Sequence, residues 1–295
     1  MTEEQMKMMF SPFPKMSMAV KGRKTIHYLQ QLKDEGKKIV QHCPSPFGPL
    51  FVMAANMAGV DVCRLPPKQA YMTPEDGIKY AAGYIGSFRS VAPQIHLNYV
   101  ADTEAFAEKH AALANFAKFH TAGADSILPM GVNNDTLKFV SDNHTIVFGH
   151  VGALSGWQTM GVHGGYKRLG KTAEDALKIY RTAYEYQENG MKAMTIELTP
   201  IEVSNAIAKK LRIPVINIAA GGACDGCETV DGDTFGLMAK PATHAWTHDS
   251  FMKFAFEAYR AWSDDVRSGK YPEDKHGWHM DADELEKFNN EMEKL

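Results

Sequence analysis

Residues 172–198, TAEDALKIYRTAYEYQENGMKAMTIEL, contain one complete change of hydrophobic period. Over 172–190 the apolar side chains recur at helical spacing. Thr172 stands where an N-cap is wanted, Asp175 follows three residues on in a capping-box-like spacing, and Gly190 sits at the C′ position. Residues 192–198, KAMTIEL, then form a short run that is apolar on both faces. A strand of that kind belongs in a parallel sheet covered by helices, not in a half-exposed antiparallel one.

The same unit recurs along the chain. Short apolar or β-branched runs occur at KIVQHC (38–43), VDVCRL (60–65), PQIHLNY (93–99), DSILPM (125–130), TIVFGH (145–150) and PVINIA (214–219), with a weaker one at CETVDGDTFG (227–236). Helical segments lie between them at 73–90, opened by Thr73, and at 102–123, closed by Gly123. This alternation predicts a (β/α)₈ TIM barrel, class α/β. No Gly-rich dinucleotide fingerprint follows the first strand, which counts against an open Rossmann sheet. A single domain over 1–295 is expected, with an N-terminal arm over about 1–24 and a C-terminal helical tail over about 275–295.

Composition narrows the function classes. The 295 residues are 44% hydrophobic and 23% charged, enough for a full core. A formal net charge of −3 gives no global attraction to nucleic acid or to an anionic membrane, so a small-molecule partner is expected. No apolar run reaches the length of a membrane span, and the first twenty residues lack the features of a signal peptide, so a cytoplasmic location is expected. Four cysteines, at 43, 63, 224 and 227, do not make a disulfide framework in a chain this long.

In a barrel the chemistry gathers at the C-terminal ends of the strands. Those ends carry His42, Cys43, Arg64 to Lys68, His96, Asn98, Met130, His150, Glu197 and Asn217. Glu197 stands out because a glutamate inside AMTIELTP is rarely buried without a partner or a task. Desolvation on both faces is expected to raise its pKa toward that of a useful base. Pro66 and Pro67, by contrast, occupy a strand end where a carboxylate or hydroxyl would serve chemistry. His42, His96 and Cys43 offer imidazole and thiolate to a transition metal such as Zn²⁺ or Fe²⁺, but no H-x-x-x-H spacing supports a site. The C-x-x-C at 224–227 is read as structural.

Beyond this pattern, FGHVGALSGWQTMGVHGGYKRLGKTAEDA (148–176) resembles the ketopantoate hydroxymethyltransferases, in which G-H-[IV]-G-L-x-P-Q is followed by G-G-[YF]-x-x-x-G-[KR]. The likeness extends through TIHYLQQLKDEGKKIV (25–40), NMAGVDV (56–62), TIELTPIEVSNAIAKKLRIPVINIAAGGACDGCETV (195–230) and DDVRSGKYPEDKHGW (264–278). It implies a (β/α)₈ barrel of the phosphoenolpyruvate mutase and isocitrate lyase superfamily, assembled as a homo-oligomer, in that family often a decamer. It also implies transfer of a hydroxymethyl group from a tetrahydrofolate derivative to an α-keto acid, with Mg²⁺ on two aspartates and a glutamate nearby.

Residue by residue, the likeness breaks at the metal. The first aspartate, in V-G-D-S, corresponds to Pro67 of LPPK, with Lys68 at the serine. The second, in A-D-L-P-F, is matched to His96 of IHLNY. In K-L-E-G-G the lysine and glutamate correspond to Leu128 and Met130. His150 matches the family histidine, and Glu197 matches the glutamate of L-E-C-V-P that serves as base for enolisation. The resemblance therefore implies an enzyme with an altered substrate and no expected Mg²⁺, making or breaking a C–C bond by hydroxymethyl transfer or retro-aldol cleavage. Glu197, His150 and His96 are the expected catalytic residues; Cys43, Lys68, Asn98, Met130 and Asn217 are expected to bind substrate. Lys167, Arg168 and Lys171 of HGGYKRLGK are open to two readings, an anion or folate-tail contact or a solvated turn. The alternative to an enzyme is a catalytically silent homologue that acts as a binding or assembly subunit.

Overall fold

The computed structural model describes residues 22–45, 47–67, 74–154, 161, 163–237 and 242–294. Its eight strands are β1 (Ile39–Cys43), β2 (Val62–Leu65), β3 (His96–Ala101), β4 (Ser126–Pro129), β5 (Phe148–Gly152), β6 (Ala193–Glu197), β7 (Val215–Ile218) and β8 (Gly226–Val230). All pair in parallel, in the order β4-β3-β2-β1-β8-β7-β6-β5. A bridge between Ile127 and Val147 joins the two edges, so the sheet is a nearly closed barrel.

Among the described residues, helix α1 (Ile26–Asp34) precedes β1; α2 (Pro49–Ala58), α3 (Pro74–Val91), α4 (Lys109–Ala122), α5 (Asn134–Asp142), α6 (Ala173–Glu188) and α7 (Ile201–Lys210) lie between strands; and the single turn α8 (Asp231–Thr234) follows β8. Two more follow, α9 (Phe251–Arg267) and α10 (Ala282–Met292). Local signals act as expected: Thr172 Oγ1 accepts the Asp175 N–H at 3.2 Å, and Gly123 and Gly190 take φ of 119° and 104°. Thr73 lies outside the described residues. Helix α1 sends Ile26, Leu29 and Leu32 into one cluster with Ile39, Val62, Phe148 and Ile216, and so plugs the N-terminal end of the barrel. A larger cluster, with Leu97, Tyr99, Phe116, Phe119 and Ile127, fills the space between the strands and the outer helices.

The register orders the interior. Followed through the paired residues around the barrel, it returns to β1 displaced by eight residues, the shear of a (β/α)₈ barrel. Inward residues therefore fall into levels. Ile39 and His96 lie lowest; Gln41, Asn98, Phe148 and Ile216 share a middle level, with Arg64, Leu128, Thr195 and Glu228 above them. Next come Cys43, Val100, His150 and Ile218, and Met130, Glu197 and Val230 form the rim.

Candidate active site

Glu197 and His150 meet at the C-terminal mouth, where β5 and β6 run side by side. The contact depends on a glycine. Gly152 pairs with Glu197, has φ of +85°, and would place a Cβ 2.1 Å from the Glu197 carbonyl oxygen. Without a side chain there, the Ala153 N–H donates to that oxygen at 3.0 Å and the strand ends close. Just beyond β6 and β7, Leu198 and Ala219 adopt φ of 52° and 53°. Left-handed backbone at non-glycine residues is unfavourable by about 1–2 kcal/mol each and gathers at functional sites.

His150 Nε2 lies 2.8 Å from the Ala153 carbonyl and 3.2 Å from Glu197 Oε2. Both partners accept, so in the neutral imidazole Nε2 carries the proton. Nδ1 is buried and has no hydrogen-bond partner among the described residues. The Glu197 side chain retains 13% of its surface, whereas that of His150 retains none. Burial pushes the Glu197 carboxyl up, but the His150 hydrogen bond and the charges of His150, Arg64 and His244 outweigh it and hold the group below the ordinary carboxylate range. The expected upward shift is thus corrected: the segment is apolar in sequence, but its surroundings in space are not.

Beneath this pair lies a charged layer in which Arg64, one of the strand-end residues, meets Glu228, Gln41 and Thr195, which do not feature among the expected site residues. Arg64 Nε and Nη2 both donate to Glu228 Oε1. Gln41 Nε2 donates to Glu228 Oε2 at 2.6 Å and to Thr195 Oγ1 at 3.3 Å. A sequence signal for this layer exists: Arg64 and Glu228 are charges inside apolar runs, as Glu197 is. Beyond the end of β3, Asp102 is half-buried, and its carboxyl is pushed up to about 6 by burial and by Glu104.

The remaining expected residues divide by which way their strand turns them. Cys43 and Met130 face the mouth and are buried; burial pushes the Cys43 thiol up. Asn98 faces inward at the middle level, where its Oδ1 accepts from Ser126 Oγ at 3.1 Å. His96 does not join Glu197 and His150. It sits at the start of β3, with Nδ1 3.1 Å from the Lys24 carbonyl and Nε2 2.8 Å from Ser126 Oγ. The strand runs on to Ala101, so Val100, and not His96, shares the level of His150. Asn217 points outward and donates to the Gly226 carbonyl at 2.8 Å, tying β7 to β8. His42 also points outward, with Nδ1 2.9 Å from Asp231 Oδ1, so it cannot share a metal with His96. Among the described residues, no group of three or more His, Cys, Asp or Glu is placed to hold an ion. Cys224 and Cys227 are both free thiols. Lys167, Arg168 and Lys171 are exposed, and Lys68 lies outside the described residues.

Comparison with known proteins agrees with this architecture. A protein of Methylibium petroleiphilum named 3-methyl-2-oxobutanoate hydroxymethyltransferase 1 is 28% identical over 283 residues, covering 92% of this chain and 95% of its own. A protein of Acetivibrio thermocellus named 3-methyl-2-oxobutanoate hydroxymethyltransferase is 36% identical over 145 residues, covering 48% of this chain and 50% of its own. Among solved structures, phosphonopyruvate hydrolase superposes with a TM-score of 0.51 at 14% identity, covering 92% of this chain and 97% of its own. Oxaloacetate acetylhydrolase does so with a TM-score of 0.51 at 12% identity, covering 83% and 87%. At these identities the structures speak for the fold. The profile of the family described as ketopantoate hydroxymethyltransferase matches residues 99–274, more than half of the sequence and all of β4 to β8, and the chain belongs to that family.

Proposed function

We propose that this enzyme makes or breaks a carbon–carbon bond next to a carbonyl group, on a substrate other than that of its relatives, with Glu197 moving the proton. Membership of the family makes it a hydroxymethyltransferase-like transferase or C–C lyase. The observation that carries the finer assignment is the partly buried Glu197 carboxylate, held ionised chiefly by the N–H of His150 and open to the mouth on its other side. An ionised carboxylate is in the protonation state that taking a proton from carbon requires, and its lowered pKa leaves the driving force to stabilisation of the anion formed on the substrate. In the forward direction the enolate then attacks a one-carbon unit, which in the family comes from a tetrahydrofolate derivative. In the retro-aldol direction no such donor is needed.

The magnesium implied by the family does not fit these residues. The inward side chains of the top two levels are Cys43, Val100, His150, Ile218, Met130, Glu197 and Val230, and β2 runs out into Pro66 and Pro67. Mg²⁺ requires near-octahedral oxygen coordination, and this set offers one carboxylate, a thiol, an imidazole and a thioether. Asp102 stands on β3's side, three strands from Glu197. Little or no magnesium-dependent ketopantoate synthesis is expected.

The test is deuterium exchange. A panel of 2-oxo acids, pyruvate and 3-methyl-2-oxobutanoate included, is incubated with the protein in D₂O and EDTA, and loss of the C3 proton signal is followed by NMR. At least one member is expected to exchange, and Glu197→Gln to slow it by on the order of 10²–10⁴. Absence of exchange throughout the panel from folded protein would favour the silent binding subunit.

A cytoplasmic homo-oligomer completes the proposal. Among the described residues no helix is long and apolar enough to cross a membrane. Helix α9 has no buried residue, and Phe254, Tyr259 and Trp262 are 66%, 72% and 56% exposed along it. On the barrel, Val40 of β1 is 50% exposed and Cys227 of β8 is exposed, where the helix following β8 would ordinarily lie. Contiguous exposed apolar faces mark interaction surfaces. Light scattering is expected to report an oligomer, and Trp262→Glu to shrink it.

A further inference from the structure

A cation is built into the barrel interior two levels below Glu197. Arg64 points inward from β2, on the level beneath Cys43 and His150. Its partner Glu228 is sealed, with no accessible side-chain surface, whereas Arg64 keeps 10% of its own. The accessible part of this pair is therefore the guanidinium. Glu228 has no spare oxygen for other work, because Arg64 takes Oε1 and Gln41 takes Oε2. The Glu228–Gln41 arrangement fixes the position of Arg64 from below. Above, the charge of Arg64 adds to the effects that hold Glu197 low and opposes the burial that pushes the Cys43 thiol up.

We propose that the Arg64 guanidinium is the resident cation of this active site, binding the anionic oxygen of the substrate in the place that a divalent ion would otherwise fill. The ligand it selects is a carboxylate, or the enolate oxygen that develops on a carbonyl next to one; this assignment rests on the enolisation reading of Glu197. Guanidinium suits the role because it stays charged, is weakly hydrated, and matches a carboxylate with two parallel N–H groups.

The charge balance of the step favours it. When Glu197 takes a proton from carbon, the C–H electron pair becomes the new C=C bond and the carbonyl π pair moves onto oxygen. One negative charge leaves Glu197 and one appears on the substrate oxygen. A cation that faces the same mouth, and whose charge already acts on Glu197, keeps an anionic partner throughout. No net charge has to be brought in or expelled, which is the condition for preorganised electrostatic stabilisation.

Oxalate, two joined carboxylates shaped like an enolate beside a carboxylate, is the probe. Calorimetric titration of the wild-type protein is expected to give the same affinity in EDTA as in Mg²⁺, within about twofold. Binding that appears only with Mg²⁺ would overturn the proposal, and this arm needs no variant. The paired substitution Arg64→Met with Glu228→Gln keeps the interior neutral, and is expected to weaken oxalate by about tenfold or more, equivalent to at least about one lost charge-assisted contact. Unchanged affinity in that folded double variant would make Arg64 purely structural. Glu197→Gln leaves Arg64 in place and is expected to bind oxalate at least as tightly as wild type while losing deuterium exchange. Retained exchange in that variant would sink the Glu197 assignment alone, and loss of oxalate binding in it would count against Arg64 as the anion site.

Discussion

His150 Nε2 is shared between two acceptors, the Ala153 carbonyl at 2.8 Å and Glu197 Oε2 at 3.2 Å, and its hydrogen bond is the largest of the effects that hold the carboxylate in its charged form. The histidine thereby sets the range of pH over which Glu197 works. A carboxylate whose folded pKa is depressed contributes stability above its ordinary value of 4.5, and loses it as the pH falls through the lowered value. The acid limb of kcat/KM is therefore expected below the ordinary carboxylate range. In His150→Leu the upward push of burial is left opposed only by the more distant charges, and the limb is expected to move to higher pH. A limb that stays where it was would mean that His150 does not control the charge of Glu197.

Arg64 and Glu228 form a buried ion pair, and the two ways of altering it should differ in outcome. Removing Arg64 alone strands a carboxylate that has no accessible surface, a change typically worth about 3–5 kcal/mol. Replacing both, as Arg64→Met with Glu228→Gln, removes the pair together with its desolvation penalty, and is expected to recover most of that loss. Urea denaturation of the four members of this cycle gives the coupling directly.

Asp102 makes part of the stability depend on pH in the opposite sense to Glu197. Its folded pKa, about 6, lies above the ordinary 3.8. The neutral carboxyl is thus the favoured form in the folded chain. Its contribution is fully present below 3.8 and is lost as the pH rises through about 6. Asp102→Asn is expected to flatten the fall in stability across that window while leaving stability at the acid end nearly unchanged. Urea midpoints at a series of pH values would show a parallel fall in both proteins if Asp102 had no part in it.

Gly152 holds β5 and β6 together at the mouth. Gly152→Ala combines a left-handed backbone, unfavourable by about 1–2 kcal/mol, with a Cβ placed 2.1 Å from the Glu197 carbonyl oxygen. Overpacking of that kind adds about 1–3 kcal/mol. The variant is expected to lose roughly 3 kcal/mol in thermal or urea unfolding and, because the strand ends part, most of its activity.

The periodic features of this protein are determined by the chain itself. Helices and parallel strands follow from side-chain spacing over stretches such as 172–198, where Thr172 and Gly190 act through hydrogen bonds and backbone angles within a few residues. The family is also legible, because GHVG and TIELTP keep both their order and their place at strand ends. Which face of a strand a residue occupies is another matter. A difference of one residue sends a side chain from the barrel interior to its outside. Gln41 and Cys43 accordingly face inward while His42, between them, turns out to Asp231. A strand two residues longer than its apolar run suggests placed His96 at the bottom and Val100 near the mouth. Tertiary structure alone decided the charge of Glu197 as well. Its neighbours in sequence are apolar and argue for a raised pKa, but its neighbours in space, His150 from β5 and Arg64 from β2, reverse the sign. Electrostatic energy depends on distance through space, and the closing of the barrel sets those distances.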